Sequence, residues 1–196
     1  MIAYKLGNSL YLNITNRCTN SCDFCIRKTA DGVGGYDLWL DREPTADEVI
    51  EAVGDPTRYD EIVFCGYGEP MIRLDVIKEV SRRLKERGAK IRINTNGQAN
   101  LIFGRNVVPE LKGLIDTMSI SLNAENSEKY ARLCNPSLGE EAYNAMLEFA
   151  SQSMKYIPRV VLTVVDVPEV DVKACEAIAR SIGAEFRVRH YSPKIA

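Results

Sequence analysis

The sequence predicts an α/β protein, a partial (β/α)6 TIM-like barrel with parallel strands and outer helices. Six short β-rich runs alternate with helical patterns along the chain. Such alternation is typical of right-handed crossovers and a parallel sheet. The chain has 196 residues, whereas a complete eight-unit barrel takes about 250. No linker or low-complexity segment interrupts the pattern, so we expect a single domain over residues 1–196.

The strands are predicted from apolar alternation and from short runs rich in β-branched residues. In chain order they are Leu10–Ile14, Glu61–Phe64, Lys90–Asn94, Thr117–Ser121, Arg159–Val165 and Glu185–Arg189. An open barrel leaves its first and last strands at exposed edges, so we expect other segments to cover them.

The helices are predicted from apolar periodicity and end signals. Thr45 and Glu48 fit a capping box, and Gly88 is a stop signal for a helix over 74–87. The other helical patterns are Val107–Leu114, Glu140–Lys155 and Val172–Ile182. Residues 15–44 form an unusually long connection after the first strand. Structureless stretches beyond roughly 12–15 residues are usually functional.

Composition narrows the class of protein. The net charge of −2 argues against a generally basic nucleic-acid binder, and 45% hydrophobic residues suit a globular core. No run approaches the roughly 18 apolar residues of a membrane span. The first residues do not fit a secretory signal. We therefore expect a cytoplasmic protein.

The long connection contains three cysteines, Cys18, Cys22 and Cys25, while the other three stand alone in the sequence. This spacing indicates a metal site and not a set of disulfides. Three thiolates on a four-iron cluster leave one iron open to a small molecule. Zinc is the main alternative, although it usually takes four ligands and the only histidine, His190, is remote in sequence. The second alternative is that the three cysteines are grouped by coincidence.

The Cys-x3-Cys-x2-Cys spacing, with Phe24 before the last cysteine, resembles the radical SAM superfamily. The resemblance implies a [4Fe–4S] cluster on Cys18, Cys22 and Cys25, with S-adenosylmethionine (SAM) on the open iron. It also implies that SAM is cleaved reductively to a 5′-deoxyadenosyl radical, which takes a hydrogen atom from a substrate. The electron would come from a flavodoxin- or ferredoxin-like one-electron reductant.

Further segments at successive strand ends carry the same resemblance. The Gly66–Pro70 turn is similar to the family segment that receives the amino group of SAM, and its glycines would allow a close backbone approach. Polar residues after the third and fourth strands resemble ribose and SAM contacts, and the fifth strand occupies the adenine position. The implied SAM-binding residues are Phe24, Gly66, Gly68, Glu69, Pro70, Asn94, Thr95, Asn96, Ser121, Asn123 and Val164. Each segment alone would read as an ordinary turn or as packing.

The substrate is not identified by the sequence, and no catalytic residue is assigned. Cys65 and Cys134 either face the cavity as hydrogen donors or are buried packing residues. Arg187 and Arg189 either face the lumen, where they would suit an anionic substrate, or face solvent. The Asp37–Leu40 region is similar to the TatD-linked radical SAM subgroup, which implies a functional link to a TatD-like hydrolase.

Two other functions remain open at this point. One is an activase that takes a hydrogen atom from the backbone of a partner protein. The other is a non-catalytic iron–sulfur redox or sensing module. Cleavage of SAM separates the enzymes from the sensor.

Overall fold

The computed structural model describes residues 1–28 and 32–191. Seven strands form one sheet in which the spatial order follows the chain order. They are β1 (Ala3–Leu6), β2 (Ser9–Leu12), β3 (Ile62–Phe64), β4 (Ile91–Thr95), β5 (Thr117–Ser121), β6 (Arg159–Val165) and β7 (Glu185–Arg189). Each strand from β2 to β7 pairs in parallel with its neighbour. The predicted α/β partial barrel is confirmed.

The helices connect these strands on the outside of the sheet. They are α1 (Ala46–Val53), α2 (Leu74–Lys85), α3 (Ala99–Phe103), α4 (Ser127–Cys134), α5 (Glu141–Tyr156) and α6 (Val172–Ile182). Short 3-10 turns cover Ile26–Lys28, Pro56–Arg58, Pro70–Arg73 and Val108–Leu111. The capping box before α1 is present, because Glu48 N donates to Thr45 Oγ1 at 3.3 Å and Thr45 N donates to Glu48 Oε2 at 2.8 Å.

One strand and two helices were not predicted. β1 pairs antiparallel with β2, through a tight turn in which Gly7 has a φ of 58°, so this hairpin supplies the expected cover for the first edge. Four residues are too short a run to establish a period. The helices α3 and α4 were also missed. The helix expected over 107–114 is only a 3-10 turn, ended near Gly113, which has a φ of 76°.

The two faces of the sheet have different chemistry. Apolar side chains such as Phe64, Ile93 and Leu162 are fully buried in the hydrophobic core that includes the helices. The side chains that alternate with them point into the curve of the sheet, and many are polar, including Asn94, Ser119 and Thr163. Because side chains alternate along a strand, one face builds the core and the other lines a cavity.

The described residues contain no helix with the length and apolarity that a bilayer crossing requires.

Candidate active site

A cavity of about 490 Å³ lies inside the sheet. Residues at or just after the carboxyl ends of β3, β4, β5 and β6 reach it, as expected for a barrel of parallel strands. The connection after β2 closes over the same space with Cys18, Cys22 and Cys25. The structure therefore brings the cysteine triplet and the successive strand ends together.

The three cysteines are free thiols of intermediate exposure. Arg27 Nε donates to Cys25 Sγ at 3.3 Å, and Asn20 N donates to Cys18 Sγ at 3.4 Å. Burial raises the pKa of Cys18 to about 12, and the negative charge of Glu69 adds to the effect. The thiols of Cys22 and Cys134 are in contact, and this hydrogen bond, together with burial, raises the pKa of Cys22. Binding of a metal group here would displace these protons.

The donor set fits an iron–sulfur cluster. In a four-iron cluster each thiolate binds a different iron at its own corner, so three thiolates on one loop occupy three of the irons. Across residues 1–28 and 32–191, no three Cys, His, Asp or Glu side chains are grouped as ligands of one ion. Cys18, Cys22 and Cys25 all line the cavity, so they fit the three-thiolate set.

The carboxyl end of α4 holds the cysteine loop in place. Ser21 N donates to Cys134 O at 3.0 Å, and Asp23 N donates to Leu133 O at 2.9 Å. In the other direction Ser137 N donates to Thr19 O at 2.8 Å. Carbonyl groups left free at the end of a helix are thus satisfied by the loop. This support was missed because α4 was not predicted.

A buried hydrogen-bond network fixes the loop from a second side. Gln98 Nε2 donates to Asn20 Oδ1 at 2.8 Å and to the Tyr130 hydroxyl at 2.9 Å. Asn20 Nδ2 donates to the same hydroxyl at 3.0 Å. Asn20 lies between Cys18 and Cys22, so the network connects the cysteine loop to the end of β4 and to α4.

Glu69 is the buried carboxylate of the cavity, with 3% of its surface exposed. Its Oε1 accepts from Met71 N at 3.0 Å and from Thr95 Oγ1 at 2.7 Å, while Oε2 accepts from Asn96 N at 2.6 Å. Burial nevertheless raises its pKa to about 7. No cation pairs with this carboxylate within the described part of the chain. A ligand ammonium would relieve that cost by compensating the charge.

The glycines beside Glu69 also have a packing role that was not predicted. A Cβ at Gly68 would lie 2.3 Å from Thr15 O and 2.5 Å from Arg17 O. A Cβ at Gly66 would lie 2.0 Å from Asn13 Oδ1. These glycines therefore allow the turn to pack against the start of the cysteine loop, which is part of the chain itself.

Nine of the eleven residues predicted to contact SAM line the cavity. They are Phe24, Gly66, Gly68, Glu69, Asn94, Thr95, Asn96, Ser121 and Asn123. Pro70 is buried at the first position of a 3-10 turn and is not part of the lining. Val164 is a correction: it is fully buried in the hydrophobic core, while its neighbours Thr163 and Val165 line the cavity. Strand alternation places Val164 on the opposite face.

The structure also decides positions that the sequence left open. Arg187 and Arg189 both line the cavity and are also exposed to solvent, and Arg189 Nη2 lies 3.2 Å from Asn123 Oδ1 and 3.4 Å from Ser121 Oγ. Cys65 lines the cavity, whereas Cys134 is fully buried beside it. Tyr4 and Tyr11 were not predicted as lining residues. These two tyrosines lie on the β1–β2 hairpin, which was not predicted.

Comparison with known proteins gives one family. Residues 12–182 match the model described as "Radical SAM superfamily". The "Probable GTP 3′,8-cyclase" of Methanocaldococcus jannaschii is 26% identical over 188 residues, which are 94% of this chain and 59% of that protein. The "Probable dual-specificity RNA methyltransferase RlmN" of Carboxydothermus hydrogenoformans is 28% identical over 134 residues, 63% of this chain and 36% of that protein. The chain thus spans well under two thirds of each relative.

Solved structures agree in fold. Streptococcus suis SuiB bound to its precursor peptide SuiA has a TM-score of 0.73 at 16% identity, covering 94% of this chain and 39% of that one. SuiB bound to SAM has a TM-score of 0.69 at 16% identity, covering 95% and 42%. Since the family model spans most of the chain and its cysteines meet the predicted SAM residues in one cavity, this chain belongs to the Radical SAM superfamily, enzymes that use a [4Fe–4S] cluster and SAM.

Proposed function

We propose that this chain holds a [4Fe–4S] cluster on Cys18, Cys22 and Cys25, binds SAM beside it, and cleaves SAM reductively to abstract hydrogen from a substrate. One observation carries the proposal. The three thiols and nine predicted SAM-binding residues line the same cavity. When bound, the cluster and SAM supply the one-electron chemistry and the hydrogen-abstracting radical.

The protein's own residues bind SAM and orient it. Glu69 is held by three donors, so its carboxylate has a fixed direction from which to receive the SAM ammonium. Asn94, Ser121 and Asn123 offer amide and hydroxyl groups to the ribose. Val165, in place of Val164, offers an apolar surface to adenine.

Arg27 is the residue that we add to this set. Its guanidinium donates to Cys25 Sγ and also to Asn16 O at 3.4 Å and Asn20 O at 3.2 Å. It therefore ties both sides of the cysteine loop together. Its positive charge also lies beside the sulfur that a cluster would bind.

We also propose a reductant, a domain organisation, a cellular location and a subgroup for this enzyme. A flavodoxin- or ferredoxin-like protein is the reductant we propose, because the chain offers no second cysteine triplet for another cluster. A single domain over 1–196 and a cytoplasmic location suit an enzyme with exposed thiols. The TatD-linked subgroup and its hydrolase rest on the Asp37–Leu40 region, where Leu38 is fully buried and Trp39 is 53% exposed.

The test begins with anaerobic reconstitution of the protein with iron and sulfide. We expect about four irons and four sulfides per chain, and 5′-deoxyadenosine after reduction with dithionite in the presence of SAM. Cys18→Ala, Cys22→Ala and Cys25→Ala should each lose both the cluster and the nucleoside. Cys175→Ala is the matched control, since Cys175 is fully buried in α6 and does not line the cavity.

Each alternative has its own result. A full cluster that yields no nucleoside would replace the enzyme with the redox or sensing module. A glycyl radical on an added partner protein would favour the activase. One tetrahedral zinc per chain, or equal activity in all four cysteine variants, would overturn the cluster.

A further inference from the structure

The two edges of the sheet line the active-site cavity with side chains unlike those of its centre. β7 contributes Arg187 and Arg189, and the β1–β2 hairpin contributes Tyr4, Leu6 and Tyr11. All five positions lie outside residues 12–182, the part that matches the superfamily model. The residues assigned above to the cluster and SAM lie inside that part. The edge side chains therefore lie outside the part of the chain that the superfamily model matches.

The β7 arginines form no ion pair with any acid in the described part of the chain. Most arginines in this structure form ion pairs, for example Arg92 with Glu61 at 2.8 Å and Arg159 with Glu185 at 2.6 Å. Neither Arg187 nor Arg189 forms one within residues 1–28 and 32–191; Arg189 contacts only the neutral groups of Ser121 and Asn123. They stand two residues apart on one strand, so both side chains lie on the same face.

Arg187 also lines a second cavity with Glu61 and Glu185, but these two acids already form ion pairs with Arg92 and Arg159. In the active-site cavity, Glu69 is the carboxylate among the described lining residues, and it is held by Met71, Thr95 and Asn96 at the end of β3. The arginines lie on β7, with β4, β5 and β6 between them and β3. Two like charges kept close together without an acid paired to them favour an anionic ligand.

The opposite edge is aromatic and rigid. The rings of Tyr4 and Tyr11 lie 5.3 Å apart, and the Tyr4 hydroxyl donates to Cys65 O at 3.0 Å. Leu6 and Val33 extend the apolar surface into the same cavity. Such a wall suits a flat apolar or aromatic group, which packs against ring faces at little entropic cost.

We propose that the substrate of this site is an organic phosphate with an aromatic or similarly flat body. The phosphate would bind Arg187 and Arg189, and the body would lie along Tyr4, Leu6 and Tyr11. A phosphate monoester is close to a dianion at pH 7 and offers three acceptor oxygens, which matches two guanidinium groups better than a carboxylate does. This inference rests on the proposed function in taking the cavity as the active site.

The experiment measures binding, so it does not depend on turnover. Phenyl phosphate is titrated into the cluster-loaded, unreduced protein with saturating SAM, and into the metal-free protein, with ligand-observed NMR as the readout. We expect phenyl phosphate to bind at least tenfold more tightly than inorganic phosphate or phenylacetate. Arg187→Gln should weaken it about tenfold, because a charge-assisted contact is lost. Arg180→Gln, at an exposed position of α6, is the matched control.

A second variant covers the aromatic edge and any folding defect. Tyr11→Leu should lower the affinity for phenyl phosphate to nearly that for inorganic phosphate. The affinity for inorganic phosphate itself should not change. Arg187→Lys keeps the charge and should retain part of the binding if Arg187→Gln fails to fold. Absence of phenyl phosphate binding, equal binding by the arginine variants, tighter binding of phenylacetate, or competition by SAM would each overturn the inference. Failure of SAM cleavage with intact phosphate binding would instead count against the proposed function.

Discussion

The centre and the edges of this sheet solve different problems. The central strands β3 to β6 present small polar groups to the cavity, such as Asn94, Ser121 and Thr163. The edge strands present large side chains, tyrosines on one side and arginines on the other. The superfamily model matches residues 12–182, which contain the cysteine loop and the central strands but not these edge side chains.

The difference teaches where variation is tolerated. A central strand is bonded to a neighbour on each side, and its end meets the cysteine loop, as the contacts of Glu69 with Thr95 and Asn96 illustrate. A substitution there disturbs several elements at once. β7 pairs with β6 alone among the described strands. A substitution on its inward face therefore disturbs fewer paired strands than one in the centre.

The largest effect we expect is from Gly68→Ala in the centre. The new Cβ would overlap the backbone oxygens of Thr15 and Arg17 at 2.3 and 2.5 Å, and backbone cannot move aside cheaply. The free energy of unfolding should fall by about 3 kcal/mol, with loss of cluster loading. Gly88→Ala, which meets nothing within 4 Å at a φ of 80°, should cost only about 1 kcal/mol. Equal losses in urea unfolding would contradict the packing role of Gly68.

The next effect concerns the ionisation of Glu69. Its pKa in the folded, metal-free protein is raised to about 7 from 4.5, so the native state holds this proton more tightly than the unfolded chain does. The stabilisation is complete below about pH 4.5 and is lost as the pH rises through 7. The unfolding free energy of wild type relative to Glu69→Gln should fall by about 3 kcal/mol over this range.

Urea titrations of both metal-free proteins at several pH values measure this difference. The glutamine variant removes the titration while other carboxyl groups cancel in the comparison. In the cluster-loaded protein, Glu69→Gln should weaken SAM binding about tenfold or more and leave phenyl phosphate binding at the edges unchanged. A pH-independent difference, or a variant that binds SAM as wild type does, would rule out the role of Glu69.

The smallest effect separates two neighbours on β6. Val164→Ala removes a fully buried core side chain and should cost about 1–2 kcal/mol with no change in SAM affinity. Val165→Ala, on the cavity side, should cost less stability and weaken SAM binding a few-fold. Thermal unfolding and equilibrium binding of SAM measure both. The reverse pattern would restore Val164 as the adenine contact.

The sequence located most of the site because its signals are local. The cysteine triplet occupies eight consecutive positions, 18 to 25, and each polar SAM segment follows a strand with a clear apolar run. Parallel strands bring their carboxyl ends to one edge of a sheet, so positions far apart in sequence were expected to meet. Cys18, Glu69 and Asn123 were therefore expected at one site, and all three line the same cavity.

The errors of the sequence prediction concern the side of a strand on which a residue lies, and secondary-structure elements that are short. Assigning Val164 to the cavity was wrong by one residue, and one residue reverses the side of a strand. The four residues of β1 gave no period, so Tyr4 was missed as a lining residue. The support for the cysteine loop was missed with α4, because Tyr130 and Cys134 reach it only after the helix docks.

By itself, therefore, the sequence determined the order of the six parallel strands, the three thiols and the chemistry of the groups that follow these strands. Only the tertiary structure decided that Arg187 and Arg189 face the cavity, that Gly68 packs on the chain's own backbone, and that the buried Glu69 has no cationic partner among the described residues. The physical reason is the separation along the chain of the residues that interact. Motifs and periods are written in neighbouring residues, whereas facing, close approach and burial depend on segments that are distant in the chain.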